Sequence, residues 1–132
     1  MLTFKSILLV EDDPISIFVI NKIIVKACVT ENFIVKTNGE KGLEYITEEI
    51  NKGNACPELI LLDLNMPFMD GMEFLEALYK FKKDIQTQIV VITNAPLRDD
   101  KIKNPYFEIG LFIEKPLTHQ KLTDALTALK VN

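Results

Sequence analysis

Five short runs of apolar, β-branched residues punctuate the chain: Ser6 to Val10, Phe33 to Thr37, Leu59 to Leu62, Ile89 to Thr93 and Leu111 to Ile113. Their length and their polar or turn-forming borders predict strands. The third and fourth, within ELILLD and QIVVIT, are continuously apolar instead of alternating. A strand covered by helices on both faces needs that pattern, so a parallel sheet is expected. Segments of helical length and period lie between the runs, at Pro14 to Lys26, Gly39 to Ile50, Met72 to Lys82 and Thr118 to Lys130. Asp13 can cap the first of these with Pro14 at its first position, Asn38 the second and Thr118 the last. The order is β-α repeated five times, which predicts a three-layer α/β unit with helices on both faces of the sheet. Between Pro96 and Gly110 a fourth helix should run, but Pro105 would break or restart it, so a short or irregular helix is expected there. The stretch EEINKGNACPE before the third strand reads as a surface loop.

Composition narrows the class. The chain has 132 residues, 48% of them hydrophobic, enough for one core and too few for two. No repeat, low-complexity tract or linker divides it, and it ends about where the last helix ends. One domain over residues 1–132 with no output domain is expected. The net charge is −4 and the pI near 5.0, so no basic field exists to hold nucleic acid or anionic lipid. No apolar stretch reaches the roughly 20 residues of a membrane-spanning helix, and MLTFKSILLVEDD runs into acids where a signal peptide would have a cleavage site. A cytoplasmic protein is expected. Cys28 and Cys56 lie far apart with no C-x-x-C or Cys/His cluster, which argues against zinc, redox chemistry and a disulfide scaffold. Both read as small buried hydrophobes.

In an open parallel α/β sheet, ligands gather outside the carboxyl ends of the strands. The first strand ends in Glu11, Asp12 and Asp13; the third in Asp63, followed by Leu64, Asn65, Met66 and Pro67; the fourth in Thr93 and Asn94; the fifth leads to Lys115 and Pro116. Two carboxylates about 4 Å apart repel by roughly 4 kcal/mol at an effective dielectric near 20, so something cationic should occupy such a grouping. Hard oxygen ligands suit Mg²⁺ that keeps several waters and is shared with a phosphate. Lys115 supplies a point charge and Thr93 a hydroxyl, both suited to a phosphoryl group on a neighbouring carboxylate.

Each residue alone has a plainer reading. Asp13 reads first as a helix cap, and Glu11 and Asp12 read equally well as solvated loop acids. Thr93 alone is a strand residue, Lys115 a surface lysine and His119 an exposed residue in the first turn of the last helix. Asp63 is different, because a charge directly after a buried apolar strand is unusual unless it is paired or functional.

Taken together, Glu11-Asp12, Asp63, Thr93 and Lys115-Pro116 resemble the signature of response-regulator receiver domains in two-component signalling. ILLVEDDP, LILLDLNMPFMDGMEFL and FIEKPL carry the likeness, which covers essentially the whole chain. The resemblance implies a flavodoxin-like fold of strand order 2-1-3-4-5. It further implies that Asp63 accepts a phosphoryl group from a phosphohistidine of a sensor kinase or phosphotransfer protein. Asp12 would bind Mg²⁺ directly, Glu11 through water, and Asn65 would offer its backbone carbonyl. Thr93 would close onto the phosphoryl group and Lys115 pair with it, while Phe112 would turn inward as Thr93 moves. The signal would leave through the face of the fourth helix, fifth strand and last helix, toward an unknown downstream protein, from a monomer or a phosphorylation-dependent dimer.

Asn94 departs from the small residue usual after the threonine, which would narrow access to the phosphate. The Asn104-Pro105 break would alter partner choice. A side-chain amide at Asn65 can orient an attacking water and so set the lifetime of the phosphoryl group. Two other readings stand beside the stand-alone receiver. One is a pseudo-receiver, an interaction module that is never phosphorylated. The other is a phosphatase of the haloacid dehalogenase type, which wants an acid/base Asp two residues after its nucleophile and here would find Asn65.

Overall fold

A computed structural model describes residues 3–27, 29–94, 106–107 and 109–131. Among these residues nine elements follow one another: β1 (Ile7–Val10), α1 (Pro14–Ala27), β2 (Phe33–Lys36), α2 (Gly39–Asn51), β3 (Leu59–Asp63), α3 (Gly71–Phe81), β4 (Gln88–Thr93), β5 (Leu111–Glu114) and α4 (His119–Val131). Each agrees to within a residue or so with the element expected from the hydrophobic pattern. Of the segment between Pro96 and Gly110 where a helix was expected, positions 96–105 and 108, Asn104 and Pro105 among them, lie outside the described residues, as does Cys28.

The five strands pair in parallel in the order β2-β1-β3-β4-β5. Burial explains the composition of the central ones. Every residue of β1 and β3 is buried, and in β4 all but the first. Alternate residues serve opposite layers, as the two-residue period of a strand dictates. Ile7, Leu9, Leu61, Val90 and Ile92 pack with Ile20 and Ile24 of α1 and Leu122 and Leu126 of α4. Leu8, Val10, Ile60, Leu62 and Val91 pack with Ile46 of α2 and Phe74, Leu75 and Leu78 of α3. The edge strands β2 and β5 are only partly buried, which matches their lower apolar content.

Helix starts follow the capping logic. The Asp13 carboxylate accepts from the Ile15 amide at 3.2 Å, Asn38 Oδ1 from Lys41 at 2.7 Å and Thr118 Oγ1 from Lys121 at 3.1 Å. The bonds from Ser16 and Ile15 hold the Asp13 carboxyl below its usual range. α3 begins with a reciprocal box between Asp70 and Glu73, legible in the D-x-x-E spacing of the chain. Gly71 matters for a different reason. A Cβ there would lie 2.8 Å from the Asp63 carbonyl oxygen, so only glycine lets α3 start against the end of β3.

Candidate functional site

Because all five strands run the same way, the residues that follow them emerge on one edge. Val10 pairs with Leu62, which brings Glu11 level with Asp63; Asp63 pairs with Ile92, which places Thr93 one step beyond. Thr93 in turn pairs with Glu114, immediately before Lys115. The boundary between β1 and β3 is where strand order reverses, the usual ligand crevice of such sheets.

The structure brings the expected site residues together. Glu11, Asp63 and Thr93 are 0%, 2% and 1% exposed, while Asp12 is half-buried. Carboxylate oxygens of Glu11, Asp12 and Asp63 all lie within 4.8 Å of one another. Lys115 Nζ stands 2.8 Å from Glu11 Oε1 and 3.7 Å from Asp63 Oδ2. Its main-chain N–H donates to the Thr93 carbonyl at 2.8 Å. Asn65 connects the two central strands: its amide N–H donates to Asp63 Oδ1 at 3.1 Å, and its side-chain Nδ2 donates to Thr93 Oγ1 at 3.3 Å. Asn94 is exposed at the end of β4, and His119 is exposed at the start of α4. Phe112 is half-buried on β5, against the layer formed by α2 and α3.

Glu11 is not the solvated loop acid that it could have been from sequence alone. Its Oε2 accepts from the Asp12 and Asp13 amides at 3.1 and 3.3 Å. Burial, reinforced by a hydrogen bond to Asp63, pushes its carboxyl up to about 7 against the opposing pull of Lys115. Burial alone would lower Lys115, but its bond to Glu11 and the charge of Asp63 outweigh this and raise it. Among the described residues, three carboxyl groups thus face one ammonium. Glu11 Oε1 is buried, and its contact is the Lys115 ammonium at 2.8 Å. An all-oxygen set with a deficit of positive charge fits a hard divalent cation.

The loop after β3 carries a feature the hydrophobic pattern did not reveal. Phe68 has φ of 69°, a left-handed conformation unusual for a large side chain, and its ring is fully exposed at 102%. Such a conformation costs on the order of 1 kcal/mol or more. Phe68→Gly is therefore expected to stabilise the protein by about 1 kcal/mol, after allowing for glycine's freer unfolded state. Urea unfolding checks this; a less stable variant would mean that the ring packs on something. Cys56 is half-buried with its thiol pushed up to about 11 by burial, consistent with a packing role. Among the described residues no helix is long and apolar enough to cross a membrane.

Comparison with known proteins bears on this geometry. The family model for the response regulator receiver domain matches residues 7–127. The chain is 30% identical over 87 residues to the sensor histidine kinase CheAY of Helicobacter pylori, covering 66% of this chain and 10% of that protein. It is 26% identical over 124 residues to the probable methanogenesis regulatory protein FilR2 of Methanothrix harundinacea, covering 94% and 80%. A solved two-component response regulator from Legionella pneumophila superposes with a TM-score of 0.77 at 26% identity, covering 97% and 99%. The chain thus spans a tenth of one relative and most of the other two. That match, over nearly all of a sheet whose carboxyl edge gathers Glu11, Asp12, Asp63, Thr93 and Lys115, rules out the dehalogenase-type reading: the chain belongs to the response regulator receiver family of two-component signalling.

Proposed function

We propose that the chain is a phosphoacceptor in which Asp63 takes a phosphoryl group from a phosphohistidine with Mg²⁺ bound beside it. The observation that carries this reading is the setting of Asp63: a carboxylate ending a fully apolar strand, within 4.8 Å of two further carboxylates and 3.7 Å from an ammonium. An Asp63 oxygen attacks phosphorus as the P–N bond to the donor imidazole breaks, and the leaving nitrogen keeps that bond's electron pair. Asp12, Asp63, Glu11 and the Asn65 carbonyl are the groups that would hold Mg²⁺, which neutralises charge on the transferring group.

Lys115 then leaves Glu11 to pair with the phosphoryl group. Thr93 gives up its bond from Asn65 to donate to a phosphoryl oxygen. Movement of Thr93 frees space beside β5, so Phe112 reads the state out toward a downstream protein. The residues of this domain suffice for this chemistry.

The donor is a histidine kinase or phosphotransfer protein. Ile15 and Phe18 near the start of α1 and Phe68 after β3 remain exposed near the carboxyl edge, where a protein donor must sit to reach Asp63. Phe68→Gly is expected to slow transfer from a kinase that phosphorylates the wild-type chain by about tenfold, the loss of one apolar anchor. Phosphorylation by acetyl phosphate should stay within twofold. Equal rates from the kinase would remove Phe68 from the docking face.

The test of the function is direct. Intact-mass measurement after incubation with acetyl phosphate should show one added phosphoryl group with Mg²⁺ and none with a chelator. No gain in mass, together with no binding of Mg²⁺ or beryllofluoride at millimolar concentration, would make the chain a pseudo-receiver.

A further inference from the structure

Outside the cluster of acids, one contact bears on how the site is held. Lys121 lies in the first turn of α4, with its main-chain N–H capped by Thr118. Its Nζ donates to the Glu114 carbonyl at 3.0 Å and to the Pro116 carbonyl at 3.1 Å. Those are the carbonyls on either side of Lys115. An exposed lysine normally leaves its head in water. Here one ammonium joins two main-chain acceptors, one on the last residue of β5 and one two residues further along the turn.

We propose that Lys121 is a positioning residue for Lys115: it clamps the turn on both sides of that residue and so fixes where the Lys115 ammonium stands above Asp63. The proposal rests on the reading of Asp63 as phosphoacceptor. Lys115 has its own N–H held by Thr93 and its ammonium by Glu11, so the Lys121 clamp completes the restraint of the turn. Lys115 Nζ already stands 2.8 Å from Glu11 and 3.7 Å from Asp63, so when a phosphoryl group forms only its side chain has to reorient while the turn stays in place. A loose turn would instead spread the ammonium over several positions, and a misplaced charge stabilises the acyl phosphate less.

The experiment compares the wild-type chain with Lys121→Met and Lys121→Arg. Methionine keeps the stem and removes the donors; arginine keeps charge and donors. Beryllofluoride affinity, measured calorimetrically with Mg²⁺, is expected to fall about fivefold in Lys121→Met, as for loss of charge-assisted bonds at an exposed site. Lys121→Arg should restore most of it. The Lys115 amide resonance should shift in Lys121→Met and return toward its wild-type position in Lys121→Arg, while the urea midpoints of all three stay close. Unchanged affinity in Lys121→Met, or equal losses in both variants with the Lys115 amide unmoved, would overturn the proposal. If wild-type protein fails to bind beryllofluoride, the phosphoacceptor reading falls, and the Lys115 resonance still decides whether Lys121 sets the turn.

Discussion

Asp63→Asn protein is expected to gain no phosphoryl mass from acetyl phosphate and Mg²⁺ under conditions that label the wild-type chain fully. The change removes the nucleophilic oxygen and little else. Asparagine nearly matches aspartate in volume, and its Oδ1 can still accept from the Asn65 amide, which the Asp63 carboxylate does at 3.1 Å. Removing a negative charge beside Glu11 also relieves a repulsion, because the carboxylates of Glu11, Asp12 and Asp63 crowd within 4.8 Å. Stability should therefore hold or rise while labelling disappears, which separates lost chemistry from lost fold. Asp12, half-buried in the same cluster, is the residue most exposed to rival labelling. A variant that still gains the mass would move the acceptor there and overturn the assignment of Asp63.

The second large effect concerns pH. Glu11 holds its proton up to about 7 in the folded chain against an ordinary value of 4.5. The unfolded chain therefore loses that proton first, and between about pH 4.5 and 7 the folded state binds more protons than the unfolded one. The stability this contributes is fully present below the lower value and is lost as pH rises through the upper one. The full loss is on the order of 3 kcal/mol. Glu11→Gln, which mimics the protonated acid, should remove this decline and be more stable than wild type at pH 8 by about 2 kcal/mol. Chemical unfolding at pH 5 and pH 8 measures both. Saturating Mg²⁺ at pH 8 should recover stability in the wild-type chain by binding only its folded state, and less so in the variant. The same fall in stability between the two pH values in both proteins would sink this account.

Much of this architecture was legible in the order of residues. LILL and IVVI are apolar at every position, which only a strand covered on both faces tolerates, and β3 and β4 are buried there as that pattern demands. Asp13, Asn38 and Thr118 announced helix starts because a cap is a contact between residues two or three apart. Asp63 stood out because a charge directly after a buried strand needs a reason.

Other properties could not be read locally. Glu11 looked as much like a loop acid as a site residue; its burial depends on the register of β1 against β3 and on Lys115, more than a hundred positions away, arriving beside it. Lys115 was expected to pair with a phosphoryl group on Asp63; its 2.8 Å contact with Glu11, beside one of 3.7 Å with Asp63, had no local signal. Nothing in the local pattern marked Phe68, which the backbone of its loop turns into solvent. Local pattern set which segments are strands, which are helices and which residue types reach the carboxyl edge, because periodicity and capping act over a few residues. The raised carboxyl of Glu11, the partner of Lys115 and the two carbonyl bonds of Lys121 came only with the folded sheet. Those follow from burial and distance between parts of the chain that meet only when the sheet has formed.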